Sequence, residues 1–181
     1  MTADTVGAPP QRAPYRSRGR FKPVQIFAAL GCAAVLLLSL AALSSALIGR
    51  AQLPSAFGNW AVGVHLAIIM SALPLSVMQF ALPKGTGLHR TTGYVWCALL
   101  FAASLVSFGI HELNGGLSPP HYVAISSFIL LPTIVFLARK HWHTAHRVVV
   151  LSYVLFFLVF AGLFTFIPNR AMGHLLASLW S

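Results

Sequence analysis

The sequence predicts an all-α, polytopic membrane protein with five transmembrane helices, of which helices two to five form an up-down bundle. Of the 181 residues, 57% are hydrophobic and only 8% are charged, whereas about a quarter of the residues in a soluble domain are charged. The apolar residues fall into five runs, and about 20 such residues cross the hydrocarbon core of a bilayer as a helix. Turn-forming residues separate the runs.

The chain divides into three segments. Residues 1–23 are polar, rich in Pro and Arg, and predict a disordered tail. Residues 24–170 hold the five helices, and residues 171–181 are too short to span a membrane, which predicts an interfacial segment. The predicted helices are Val24 to Gly49, Phe57 to Leu82, Leu88 to Ile110, His121 to Ala138 and Ala145 to Ile167. The first run is longer than the core of a signal peptide, so we expect it to remain as a membrane span.

The basic residues predict the orientation of the chain. With a cytoplasmic N-terminus, ten Lys and Arg residues lie inside and only Arg50 and Arg170 lie outside. This bias is typical of a multi-pass protein of the inner (plasma) membrane with an external C-terminus. The five basic residues of the tail are expected to lie against anionic lipid. Because the positive charge sits in the tail and in short loops, it does not indicate nucleic-acid binding.

The acidic residues exclude several classes of chemistry. Asp4 and Glu112 are the two carboxylates of the chain, which excludes glycosidase and aspartic-protease mechanisms, calcium cages and intramembrane Asp/Glu proton relays. Cys32 and Cys97 lie inside apolar runs and are interpreted as buried small hydrophobes. No Cys-x-x-Cys-His motif for a covalently attached haem is present. Any chemistry must therefore use the eight histidines.

Four histidines occupy corresponding positions on alternate predicted helices. His65 on helix two and His121 on helix four lie toward the outer face, and His89 on helix three and His146 on helix five lie toward the inner face. Alternate helices of an up-down bundle face each other across its centre, where bundles build cofactor sites. Two axial imidazoles are a common ligand set for haem iron. The pattern predicts haem b bound by these two pairs, although His65 lies roughly 5–10 Å deeper than His121.

The residues around these histidines admit two interpretations. Gly93, one turn after His89, leaves room for a flat cofactor. The stripe that continues from His146 through Tyr153, Phe157, Phe160 and Phe164 lines a haem in one interpretation and serves only packing in the other. The remaining histidines are interpreted as solvated or interfacial: His111, His141, His143 and His174.

Several short motifs resemble those of known membrane families. The stretches Leu88–Tyr94 (LHRTTGY), Pro119–His121, Ala145–Arg147 and Phe166–Arg170, with His65 upstream, resemble an uncharacterised prokaryotic (bacterial) membrane protein family, domain of unknown function 2306. The histidine arrangement more distantly resembles the two-haem transmembrane b-type cytochromes of the b-561 kind. In that family helices two and four hold one haem, and helices three and five hold the other. This resemblance implies electron transfer across or within the membrane. It does not indicate which molecule donates the electrons or which accepts them.

Two other functions remain open on the sequence alone. The first is a non-catalytic membrane subunit or assembly factor whose histidines are structural. The second is a proton or metal-ion conductor that uses histidine as its titrating group, which is disfavoured because cation paths usually use rings of Asp or Glu. Whether the protein is an enzyme, and which redox partner it has, are left open.

Overall fold

The computed structural model describes residues 23–110, 119–168 and 170–180, and these residues form helices without any strand. The predicted tail, both carboxylates and His111 lie outside the described residues. The all-α fold class is confirmed for this part of the chain. The helices are α1 (Pro23–Leu47), α2 (Trp60–Ala81), α3 (Gly87–Ser107), α4 (Pro119–Arg139), α5 (His143–Phe164) and α6 (Ala171–Ala177), with a short 3-10 turn at Ser55–Gly58.

Four of the described helices are long and apolar enough to cross a membrane. They are α1, α2, α5 and the His121–Arg139 part of α4, so the prediction of a multi-pass membrane protein is confirmed at this level. The third predicted run forms α3, but its first two turns contain Arg90, Thr91 and Thr92, which make it less apolar than the other four.

The turns between α2 and α3 follow from local chemistry. Gly85 has a φ of 82°, which a glycine adopts without strain. The Thr86 hydroxyl accepts a hydrogen bond from the backbone N–H of His89 at 3.2 Å and caps α3. The Lys84 ammonium donates to the carbonyls of Gln79, Phe80 and Leu82 at 2.5, 2.8 and 3.1 Å. This lysine therefore satisfies carbonyls that the end of α2 leaves unpaired.

Each of the first four helices packs against the next, and α5 packs back against α1. The contact of α1 with α5 is close because glycines face valines. A Cβ atom at Gly31 would lie 2.7 Å from a methyl carbon of Val159, and one at Gly162 would lie 2.8 Å from a methyl carbon of Val35. Small residues at such contacts are how membrane helices approach each other.

The middle of α5 is a π-helix, Val154–Phe160. Its buried residues recur at a spacing of five, as Tyr153 with Leu158 and Val154 with Val159, which matches the i to i+5 bonding of a π-helix. The predicted aromatic stripe assumes a regular α-helix and is wrong beyond Phe157, because Phe160 and Phe164 are 68% and 45% exposed. Phe157 remains on the inner side and stacks on Tyr153 at 4.4 Å between ring centroids.

The C-terminal segment forms α6 and packs against α1. Met172 and Leu175 are buried against Ala42. Arg50, just after α1, donates a hydrogen bond to the carbonyl of Leu179 at 2.9 Å. The segment for which the sequence predicts only an interfacial position is therefore joined to the first helix.

Candidate functional site

The inner histidine pair lies at the end of the bundle where α3 and α5 begin. We call this the basic end, because five of the seven described Lys and Arg residues lie there: Lys84, Arg90, Arg139, Lys140 and Arg147. His89 and His146 are close enough to interact electrostatically. The structure therefore places both histidines of the predicted inner pair at the same end of the bundle.

The two inner imidazoles differ in their surroundings. His146 on α5 holds its Nδ1 atom 3.0 Å from the carbonyl oxygen of Ile134 on α4. A carbonyl only accepts, so Nδ1 carries the proton and Nε2 of the neutral ring keeps its lone pair. Metal-ligating histidines have this same arrangement. The Nδ1 atom of His89 is buried and has no hydrogen-bond partner among the described residues.

The outer histidines are both held against α3. The Nδ1 atom of His65 lies 3.0 Å from the carbonyl oxygen of Ala103. His121 is 3% exposed and packs on Phe108, with 5.7 Å between the ring centroids. Ala103 and Phe108 are five residues apart, or roughly 7.5 Å along a helix. This separation falls within the depth difference expected from the sequence.

A polar cluster that the sequence does not predict as a unit lies between the two histidine pairs. The Trp96 indole donates to the Ser76 hydroxyl at 2.7 Å, and the Cys32 thiol is also hydrogen-bonded to Ser76. The hydroxyls of Ser127 and Tyr153 are 3.0 Å apart, and Tyr153 meets Trp96 edge to face at 5.9 Å. All five side chains are buried. Each of the helices α1 to α5 contributes one of them, and we call this group the central polar cluster.

Both aromatic members of this cluster follow an inner histidine by seven residues. Trp96 follows His89, and Tyr153 follows His146, so the cluster lies roughly 10.5 Å further along the bundle. The spacing of seven is visible in the sequence, but the pairing with Ser76 and Ser127 is not. No periodicity identifies which serine on a neighbouring helix will accept or donate a bond.

Gly93 lies against the side chain of Gln79 on α2. A Cβ atom at Gly93 would meet the side-chain amide of Gln79 at 3.6 Å, an ordinary van der Waals contact. That amide donates to the Thr92 hydroxyl at 2.6 Å. The expectation that Gly93 leaves room for a flat cofactor stays a prediction.

The donor chemistry of the inner pair fits haem iron, which takes two neutral imidazoles. No group of three or more His, Cys, Asp or Glu side chains in the described ranges could hold a metal ion by itself. Of two concave spaces in the described residues, one of about 400 Å³ is bounded by Phe166, His174 and Trp180, and one of about 420 Å³ by His141 to Ala145, directly before His146.

His141, His143 and His174 are exposed, and His143 interacts electrostatically with His146. His141 has a φ of 58°, and its ring meets that of His143 edge to face at 5.8 Å in the exposed turn before α5. His174 is exposed on α6.

Lys84 lies outside the spans, in the turn between α2 and α3. Burial lowers the pKa of its amine to about 8, and the positive charge of Arg147 contributes to the same shift.

Comparison of the chain with protein-family models, with curated proteins and with solved structures finds no match.

Proposed function

We propose that this protein binds haem b through His89 and His146 and carries electrons in the inner membrane. In this proposal α3 is a fifth span, helices two to five form an up-down bundle, and the basic end faces the cytoplasm. The resemblance to the uncharacterised bacterial family and to two-haem cytochromes is part of the same proposal. The observation that carries it is the bond from His146 Nδ1 to the Ile134 carbonyl, which leaves Nε2 of that ring as a metal ligand.

Ile134 and Thr86 would have separate roles in positioning the two histidine ligands at this site. The Ile134 carbonyl fixes the tautomer and the direction of the His146 ring. Thr86 fixes the first turn of α3, from which His89 projects. The bound haem would supply a reversible one-electron couple whose potential is set by these ligands and by the low dielectric around them.

A second candidate is a non-catalytic membrane subunit with structural histidines. It is favoured by the bonds of His65 to Ala103 and of His146 to Ile134, because each joins two neighbouring helices. Interhelical hydrogen bonds in membranes contribute about 0.6 kcal/mol on average. It is also favoured by the central polar cluster, whose buried side chains bond to or pack on one another across neighbouring helices.

One substitution separates these two functions. In His146→Gln the side-chain amide still donates to the Ile134 carbonyl, but an amide is not a haem b ligand. The full-length protein would be expressed with added haem precursor, purified in detergent, and scanned before and after dithionite. We expect a b-type difference spectrum that disappears in His146→Gln and in His89→Gln, with unchanged detergent unfolding.

His143→Gln is the matched control, because His143 lies one turn before His146 and is exposed. This variant is expected to keep the full spectrum. A colourless wild-type protein, or equal loss of the spectrum in His143→Gln, would refute haem binding by the inner pair.

A further inference from the structure

Two exposed histidines, His141 and His143, lie side by side in the turn that joins α4 to α5. Their ring centroids are 5.8 Å apart, and both side chains are exposed. Neither ring makes a hydrogen bond to a described residue. The ring nitrogens of both histidines are therefore available to a ligand.

The end of α4 determines where the first of these rings lies. The backbone N–H of Trp142 donates to the carbonyl of Leu137 at 3.0 Å, and that of His141 donates to the carbonyl of Ala138 at 3.2 Å. These two bonds form a Schellman motif, in which the residue at the left-handed position is usually glycine. His141 occupies this position with a φ of 58°, although a side chain costs free energy there. The fold thus presents an imidazole where conformational preference alone favours glycine.

The separation of the two rings matches that of two ligands on one metal ion. Metal–nitrogen bonds of about 2.0–2.1 Å place the centroids of two imidazoles on a shared ion roughly 5–6 Å apart. The 5.8 Å between His141 and His143 lies in this range. Exposed side chains change rotamer readily, so the nitrogens can turn toward the same point. The concave space of about 420 Å³ at residues 141–145 leaves room for the ion and its remaining ligands.

The donors and their surroundings restrict the class of ion. Imidazole suits Zn²⁺, Cu²⁺ and Ni²⁺, and Cu²⁺ forms the most stable complexes of this series. Mg²⁺ and Ca²⁺ take oxygen ligands, carboxylates above all, and the described residues contain no Asp or Glu. The positive end of the α5 dipole and Arg147, one turn after His143, repel every cation. Only an ion whose bonds to imidazole offset this repulsion would be held here.

Two imidazoles leave some coordination positions of such an ion open. No group of three or more His, Cys, Asp or Glu side chains in the described part of the chain could hold a metal. Water or an anion would therefore complete the coordination, as in a site with an open position rather than a closed structural site.

We propose that His141 and His143 bind one divalent transition-metal ion, and that Cu²⁺ is bound most tightly. The ion links the turn after α4 to the first residue of α5. The site uses neither of the two histidines proposed to bind haem and requires no haem. It is therefore tested on haem-free protein, so that failure of one proposal leaves the other standing.

The test uses the full-length, haem-free protein in detergent, purified without a polyhistidine tag. Isothermal titration calorimetry would measure the affinity and stoichiometry of Cu²⁺, and pulsed electron paramagnetic resonance would count the imidazoles bound to it. We expect one saturable site with two imidazole ligands and no displacement by excess Mg²⁺ or Ca²⁺. Loss of an outer-shell partner weakens metal binding about 10–100-fold, so loss of a ligand in His141→Gln or His143→Gln should weaken it at least about tenfold.

His174→Gln is the matched control, because His174 is also exposed but lies on α6 rather than in this turn. It should leave the affinity unchanged. His141→Gly removes a ligand but relaxes the left-handed position, so it should lose binding without unfolding at a lower concentration of sodium dodecyl sulfate. Copper bound by fewer than two imidazoles, or equal affinities of His141→Gln and His174→Gln, would overturn the site. Displacement by Mg²⁺ or Ca²⁺, or the absence of saturable binding, would do the same.

Discussion

The contact of Gly31 with Val159 gives a quantitative prediction for Gly31→Ala. The added Cβ atom would lie 2.7 and 2.8 Å from the two methyl carbons of Val159, whereas carbon atoms pack at about 3.5–4.0 Å. A valine in a helix is stiff at χ1, and any other rotamer would still turn one methyl group toward Gly31. Helices α1 and α5 must therefore separate by roughly 1 Å to accommodate the new methyl group.

Two terms decide the size of the effect. Overpacking of this kind costs about 1–3 kcal/mol, and replacing a helical glycine by alanine returns up to about 1 kcal/mol. A Cβ atom added at Gly63 on α2 would meet no atom within 4 Å. Gly63→Ala therefore has no steric cost and retains only the gain in helix propensity from glycine to alanine. The free energies of unfolding of these two variants should differ by about 1–3 kcal/mol, which isolates the steric cost.

The assay is equilibrium unfolding in mixed micelles titrated with sodium dodecyl sulfate, followed by tryptophan fluorescence. In a Val159→Ala background, Gly31→Ala should no longer be destabilising, because the opposing methyl groups are gone. If Gly31→Ala and Gly63→Ala unfold alike, or if Val159→Ala gives no rescue, the close approach of α1 and α5 is wrong.

Three further predictions follow from contacts described above. Tyr153→Phe removes the bond to Ser127 and should lower the free energy of unfolding by about 0.6–1.7 kcal/mol, whereas in a Ser127→Ala background it should have little further effect. The Lys84 amine, with its pKa lowered to about 8, should react with an acylating reagent with a half-maximal rate near that pH, because only the neutral amine is a nucleophile. Gly173→Ala would place a Cβ atom against the carbonyl of the preceding turn and should release α6 from α1, detected as faster proteolysis of the C-terminus.

Each of these predictions has a result that would contradict it. Equal losses from Tyr153→Phe in both backgrounds would mean that the two hydroxyls are not bonded. A labelling profile for Lys84 that follows Nα-acetyl-lysine, near pH 10.4, would refute the lowered pKa. Unchanged proteolysis in Gly173→Ala would mean that α6 does not need a glycine at its contact with the chain before it.

The boundaries of the helices could be predicted from the sequence because turn residues mark them. The predicted helix Phe57 to Leu82 is observed as Trp60–Ala81, and Leu88 to Ile110 as Gly87–Ser107. Asn59, Pro83 and Thr86 act locally, through caps and fixed dihedral angles, so their effects are visible without knowing the fold.

The inward-facing residues could be predicted only where a helix is regular. Ser76 and Trp96 follow His65 and His89 by eleven and seven residues, spacings that place them on the same faces of regular helices as those histidines, and both are buried. In α5 the π-helix changes the period, and the sequence contains no signal that we recognise for it. The partners of His65 and His146 are backbone carbonyls, which every residue carries, so residue type could not identify them.

The π-helix in α5 also affects how this protein should be aligned with others. Residues before Val154 and after Phe160 are out of phase by about one residue relative to a regular α-helix. A homologue lacking one residue here could keep both halves in register with their neighbours by forming an ordinary helix. The correct alignment would then contain a gap of one residue within 154–160. An alignment without this gap would match lipid-facing positions of one protein with interior positions of the other.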